Sequence, residues 1–331
     1  LKKNNLFFAI KGKKTDGHNF VKEAIKKGAI KSFVNKKISQ TPKSKIIKVK
    51  NTFSSLNELA KINRENSSAR IIGVTGSVGK TTLKNLISFV LNNYGKVYHS
   101  PLSYNNKFGV PLSLANLKGN INYGVFEIGM DKKGEIDKLS KIVKPEIGII
   151  TNISEAHIKN FNTLKDIAKA KGEIINNILD GGSIILNKDS KFFNFLFSKA
   201  KRKKIKVVSF SQKKGADIFL LNIKKIGNYY KLKVEVKKKI YFFYTTQSTN
   251  NFINNVLACI STLFVLNIDL NNVEKDFIDF KIPSGRGDIK IIKKFKKTFK
   301  LIDESYNANP LSMKSAIQNM SYYKVKNNAQ K

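Results

Sequence analysis

Along the first 66 residues, short apolar runs alternate with segments whose apolar positions recur at helical spacing. Residues 6–10 (LFFAI) and 46–49 read as buried strands, 20–27 as a short helix and 53–66 as a longer amphipathic one. The polar stretch 65–70 (ENSSAR) reads as a linker. Beyond it the units lengthen. Residues 71–75 form an apolar run of strand length, followed by a glycine-containing turn and a helical pattern to about Leu91. Residues 123–128 and 147–151 predict further buried strands, with helical stretches at 135–143 and 164–179. Short strands at 184–186 and 207–210 continue the alternation, which predicts an α/β doubly wound, mostly parallel sheet. Between 218 and 244 the texture changes to strand-turn-strand about Gly227-Asn228, an antiparallel portion. A helix over 251–266, a loop at 283–287 (PSGRG), a strand at 299–303 and a last helix opened by Pro310 complete the pattern.

The sharpest local signal lies in IIGVTGSVGKTT, residues 71–82. A buried strand runs into Thr75, Gly76, Ser77, Val78 and Gly79, and a helix opens with Lys80, Thr81 and Thr82. That arrangement suits ATP. Backbone N–H groups and the helix N-terminus face the phosphates, the lysine reaches the β- and γ-phosphates, and the Thr81 hydroxyl can ligate Mg²⁺. The usual first glycine of such loops is replaced by Val74, with Gly73 one position early, so the generic spacing is only nearly met. The motif does not say what the ATP is for.

Composition narrows the class. Of 331 residues 41% are hydrophobic, enough for two packed domains and part of a third. No apolar run approaches the roughly 18 residues of a membrane span, and no leader resembles a secretory signal. Cys259 is the only cysteine, which excludes an internal disulfide and a cysteine zinc cluster. A cytoplasmic protein without membrane insertion is the expectation. The net charge of +39 would suit a polyanion binder, but the lysines are spread over the whole chain and form no arm or stripe. Abundant Lys, Asn and Ile with few Ala, Arg and Pro instead suggest a coding sequence rich in A and T. No specific nucleic-acid partner is expected. Leu1 is not methionine and Lys331 follows a polar stretch, so the chain is read as a segment of a longer reading frame.

The variant loop TGSVGKT, opened by threonine, resembles that of the Mur ligases and folylpolyglutamate synthetases. Further stretches extend the likeness over nearly the whole chain: FFAIKGKKTDGHNF, YNNKFGVPLSL, FEIGMDKKGEI, KPEIGIITNISEAHI, IAKAKGEI and DESYNANPLSM. The motifs EIGM…GEI and SYNANP resemble the branch of the Mur family that adds D-alanyl-D-alanine to UDP-N-acetylmuramoyl-tripeptide. The resemblance implies an N-terminal uridine-substrate domain (1–68), a central P-loop domain (69–283) and the beginning of a C-terminal domain (284–331). It also implies a monomeric, ADP-forming ligase of peptidoglycan synthesis that uses ATP and Mg²⁺.

Residue by residue, the resemblance assigns Mg²⁺ to Thr81, Glu127, His157 and Lys171, the last as a carbamate. Lys80, His157, Lys171 and Arg286 become the catalytic set. Asn251 and Asn254 stand beside adenine, within a register uncertain by one, and Asn250 replaces a usual histidine. Arg286 would reach the γ-phosphate, and Asp303 or Glu304 the ribose. Asp16, His18, Ser103, Asn105, Asn106, Tyr306 and Asn309 fall in substrate-facing or interdomain motifs, with Leu102-Ser103-Tyr104 where the family usually opens with glycine-asparagine. From the residues alone other readings stay open. Glu127 suits a solvent-facing strand end, Lys171 a solvated helix face, and Lys169 could be taken for Lys171. A segment ending at Lys331 is expected to bind MgATP weakly without turnover. Rivals are another Mur-type amino-acid ligase, a folylpolyglutamate synthetase, and a nucleic-acid-stimulated P-loop ATPase.

Overall fold

The computed structural model describes residues 1–155, 160–294, 297–306 and positions 313, 314, 316, 317 and 320. The N-terminal part contains β1 (Leu6–Phe8), α1 (Val21–Lys26), β2 (Lys31–Val34) and β3 (Ile46–Lys48), the strands forming one parallel sheet in the order β1-β2-β3. Helix α2 (Thr52–Glu65) follows, capped by the Asn51 side chain, which accepts from the Ser54 N–H at 2.9 Å. The large sheet then takes β4 (Arg70–Thr75), α3 (Lys80–Leu91), β5 (Val97–His99), α4 (Gly109–Ala115), β6 (Tyr123–Glu127), α5 (Glu135–Val143) and β7 (Ile147–Ile150). It continues through α6 (Leu164–Lys171), β8 (Ser183–Asn187), α7 (Phe193–Arg202), β9 (Lys206–Ser211) and the meander β10 (Ile218–Ile226), β11 (Tyr229–Val236) and β12 (Lys239–Thr245). Helix α8 (Asn250–Val265) and the hairpin β13 (Asp288–Lys294) with β14 (Lys297–Asp303) close the described chain.

Nine strands line up as β12-β11-β10-β9-β8-β7-β4-β6-β5, parallel from β5 through β10 and antiparallel at β11 and β12. The mixed, mostly parallel α/β architecture read from the sequence is therefore present. Both faces are covered, and the side chains alternate accordingly. Ile72, Val74, Ile147 and Ile185 pack against α3 and α8, whereas Ile71, Ile150, Ile184 and Leu186 meet α4, α5, α6 and α7. From β4 the chain crosses to β5 and β6 on one side and to β7 on the other. This reversal opens a crevice at the carboxyl ends of β4, β6 and β7, where open α/β sheets bind ligands.

The sequence pattern missed β2, β5, α4, α7 and β13. The helix expected over 164–179 stops at Lys171 and tightens into a 3-10 turn, Gly172–Asn177. The helix expected from Pro310 lies outside the described residues. Helix α2, read as part of the first unit, places Ala60 in the core of the large sheet, and Asn63 donates to the Ala115 carbonyl at 2.7 Å. Its Arg64, 8% exposed, donates to the carbonyl of Val143 (2.7 Å), the last residue of α5, and to that of the C-cap Lys144 (2.8 Å). A cation there satisfies orphan helix-end carbonyls and suits the negative end of the dipole. Arg64→Ala strands both carbonyls and should cost about 3 kcal/mol, read from urea unfolding midpoints.

Candidate functional site

The phosphate loop is shaped by two glycines. Gly76 (φ +148°) passes so close to Thr151 that a Cβ would stand 1.8 Å from its Oγ1, and Gly79 (φ +84°) lies against the Asn255 amide. Asn152, just past β7, holds the loop: its carbonyl accepts the Ser77 N–H at 3.0 Å and its Oδ1 the Val78 N–H at 2.9 Å. Two amides that the motif suggested for phosphate are thus taken by protein. The N-terminus of α3 opens onto a cleft of about 850 Å³, and Lys80 Nζ reaches back to the Gly76 carbonyl at 3.0 Å.

At the end of β6, Glu127 is 1% exposed. Its Oε2 accepts from the Thr81 hydroxyl at 2.7 Å, its Oε1 from Asn105 Nδ2 at 2.6 Å, and its own N–H donates to Ser100 Oγ at 3.1 Å. Both oxygens face the cleft partners, so the solvent-facing reading of Glu127 does not hold. Lys171 ends α6, buried and lining the same cleft. Burial, helped by the nearby Lys80 charge, pushes its amine well below the usual lysine range. Lys169 points elsewhere and pairs with Asp166 at 3.2 Å, which separates the two lysines. Burial likewise lowers Lys80.

The opposite wall comes from Arg286 and Tyr306. The guanidinium stacks 3.9 Å from the Tyr306 ring centroid and donates to Ser103 Oγ at 3.0 Å, and the Tyr306 hydroxyl donates to the same oxygen at 2.7 Å. Glu304 faces the cleft, and burial raises its carboxyl. Asp303 turns away to Ser305 and Lys290, whose hydrogen bonds lower it to about 2.

A deep anion-ready cleft at a parallel-sheet switch point is shared by many nucleotide enzymes, and the comparisons with known proteins narrow it. Residues 74–263 match the Mur ligase middle domain and residues 1–67 the Mur ligase family catalytic domain. The chain belongs to the Mur ligase family. It is 35% identical over 319 residues to a UDP-N-acetylmuramoyl-tripeptide--D-alanyl-D-alanine ligase of Rickettsia prowazekii, covering 96% of this chain and 70% of that protein. The similarly named ligase of Bacillus subtilis is 31% identical, covering 96% and 67%. Among solved structures, MurF from Acinetobacter baumannii superposes with a TM-score of 0.86 at 29% identity, covering 98% of this chain and 69% of that one. MurF from Thermotoga maritima in complex with ADP gives 0.81 at 25% identity, covering 98% and 74%.

Within this Mur ligase cleft the structure gathers most of the residues singled out from the sequence. Gly76 through Thr82, Ser103, Asn105, Asn106, Glu127, Lys171, Asn251, Arg286, Glu304 and Tyr306 all line it. Thr75 is buried at the end of β4 behind the loop. Asn254 lines a small adjoining pocket and accepts from Gln212 Nε2 at 3.0 Å, while Asn255, unmarked by the sequence, reaches both spaces. His157 and Asn309 lie outside the described residues. Asp16 and His18 do not line the cleft. His18 Nδ1 donates to Asp16 at 2.6 Å and its Nε2 accepts the Asn35 N–H at 3.2 Å, so both ring nitrogens hold the N-terminal fold together. The sequence reading also passed over Lys84, fully buried one turn beyond Lys80; among so many lysines nothing marked it.

Burial lowers Lys84 to about 8, so folding releases its proton earlier than the unfolded chain does. Between about pH 8 and the ordinary lysine range near 10.4 the unfolded state binds more protons, and stability therefore rises with pH. Urea midpoints at pH 8 and pH 10 should show this rise in the parent protein and a smaller one in Lys84→Met.

Proposed function

We propose that this protein joins D-alanyl-D-alanine to UDP-N-acetylmuramoyl-tripeptide with cleavage of ATP to ADP and phosphate, a step of peptidoglycan synthesis. The observation that carries the reading is the meeting of a Mur-type phosphate loop with Glu127, Lys171 and Arg286 in one cleft, in a chain whose relatives bear that name. The peptide's terminal carboxylate attacks the γ-phosphorus and ADP leaves, giving an acyl phosphate. The dipeptide amine then adds to the acyl carbon, loses a proton, and phosphate departs as the amide forms. Two anions must meet in the first step, so the protein's task is to position them and offset charge.

Lys80 and Arg286, on opposite walls, fit that task. Thr81 and Glu127 present hard oxygens 2.7 Å apart beside the phosphate loop, a donor pair that suits Mg²⁺ shared with the nucleotide. When bound, the cation would polarise the γ-phosphate. We assign Lys171 a carbamate. Its burial beside Lys80 favours the neutral amine, which is the form that adds CO₂, and the resulting anion would turn the repulsion from Lys80 into attraction. Among the described residues no helix is long and apolar enough to cross a membrane.

The test is phosphate release by the full-length protein supplied with MgATP and UDP-N-acetylmuramoyl-tripeptide. Release should require D-alanyl-D-alanine, stop with EDTA, and fall roughly 100- to 1000-fold in Lys80→Met. Release indifferent to the dipeptide, or driven instead by another amine or by RNA, would overturn the assignment.

A further inference from the structure

Lys84 is a buried cation for which the ligation chemistry as described has no use. It lies in α3, fully buried, and its Nζ donates to the carbonyls of Ser100 (2.7 Å) and Leu102 (2.5 Å) at the start of the loop between β5 and α4. Leu102 sits at φ +45°, a left-handed conformation natural to glycine and strained for leucine. Its side chain is 73% exposed, so packing does not hold it there. An apolar residue would fill the space around Lys84 without the cost of burying an ammonium, so the charge needs a reason.

The loop supplies that reason. Ser100 Oγ accepts the Glu127 N–H, and Ser103 Oγ stands 3.3 Å from Thr81 Oγ1. Asn105 grips Glu127 with its side chain, and its carbonyl accepts the Gly129 N–H at 2.8 Å. The geometry points to Lys84 as a positioning residue for the ligation: its ammonium holds the strained turn at Leu102 so that Ser103 and Asn105 stand against Thr81 and Glu127 before substrates arrive. This rests on the ligase reading above. Lys84 itself does not line the cleft; it acts through the loop it fastens.

The test uses Lys84→Met in the full-length protein, with three readouts. kcat should fall on the order of 100-fold, as for a reacting group misplaced by about 1 Å. MgATP affinity, read with a fluorescent nucleotide, should stay at the parental value. Hydrogen exchange should quicken at residues 102–105 and leave α3 and β4 protected. Adding Leu102→Gly, which removes the strain, should recover roughly tenfold of the lost rate. Should Lys84→Met fail to fold, Lys84→Gln, which keeps N–H donors without the charge, should show the same pattern with a smaller loss. Loss of nucleotide binding together with kcat, loop exchange unchanged from the parent, or no recovery on adding Leu102→Gly would each overturn the inference. If the parent itself shows no dipeptide-dependent phosphate release, the ligase reading fails, and the exchange data still decide whether Lys84 holds the loop.

Discussion

A carboxyl group at 1% exposure must find its partners in the protein instead of in water, and Glu127 sets that condition for the cleft wall around it. Thr81 reaches it from the phosphate helix, Asn105 from the β5–α4 loop, and Ser100 ties down its backbone. Two segments distant in sequence, the phosphate helix and the β5–α4 loop, are thus fixed to one strand end. The cations Lys80, Lys84 and Arg286 lie near enough for their fields to meet that carboxylate's or each other's, since Lys80 and Lys84 are each raised by Glu127 and lowered by Arg286. Lys80 and Arg286 stand on opposite walls of the cleft, where entering nucleotide phosphates would meet both cations.

The sheet makes this concentration possible. Because β4 lies between β7 and β6, the phosphate loop after β4, Glu127 at the end of β6 and the Thr151-Asn152 pair after β7 emerge side by side. Asn152 then serves the loop directly, and Thr151 fills the space that only glycine at position 76 leaves open. Loop shape and strand order are the same constraint seen at two scales. The stacked Arg286 and Tyr306 meet Ser103 from beyond the large sheet, so both touch the loop that faces Glu127.

Much of this was legible in the sequence, for physical reasons that can be located. The strands at 123–127 and 147–150 are apolar on both faces because helices cover both, which leaves long unbroken runs. The phosphate loop carries its own punctuation in Gly76, Gly79 and Lys80. Short edge elements such as β5, with three residues, offer no period to detect. Helix α2 shows another limit: its amphipathic pattern is correct, but a pattern names a buried stripe and not the body that buries it, and here Ala60 packs in the core of the large sheet. Asp303 and Glu304 could not be told apart from sequence because adjacent residues at a strand end point in opposite directions, and only Glu304 turns inward.

Lysine shows most clearly where sequence reading stops. With 62 Lys and Arg in the chain, residue type carries almost no information about function, since solvated positions take lysine by default. Burial restores the information, because removing an ammonium from water costs free energy that a surface lysine never meets. Lys84 and Lys171 are buried among their neighbours, and Lys80 is held within the phosphate loop. Each stands where an ordinary apolar side chain would be less costly, so each is retained for what its nitrogen does. Lys80 and Lys171 were found through neighbouring motifs. Lys84 was not, because its partners are two backbone carbonyls sixteen and eighteen residues away, and carbonyls leave no trace in a sequence.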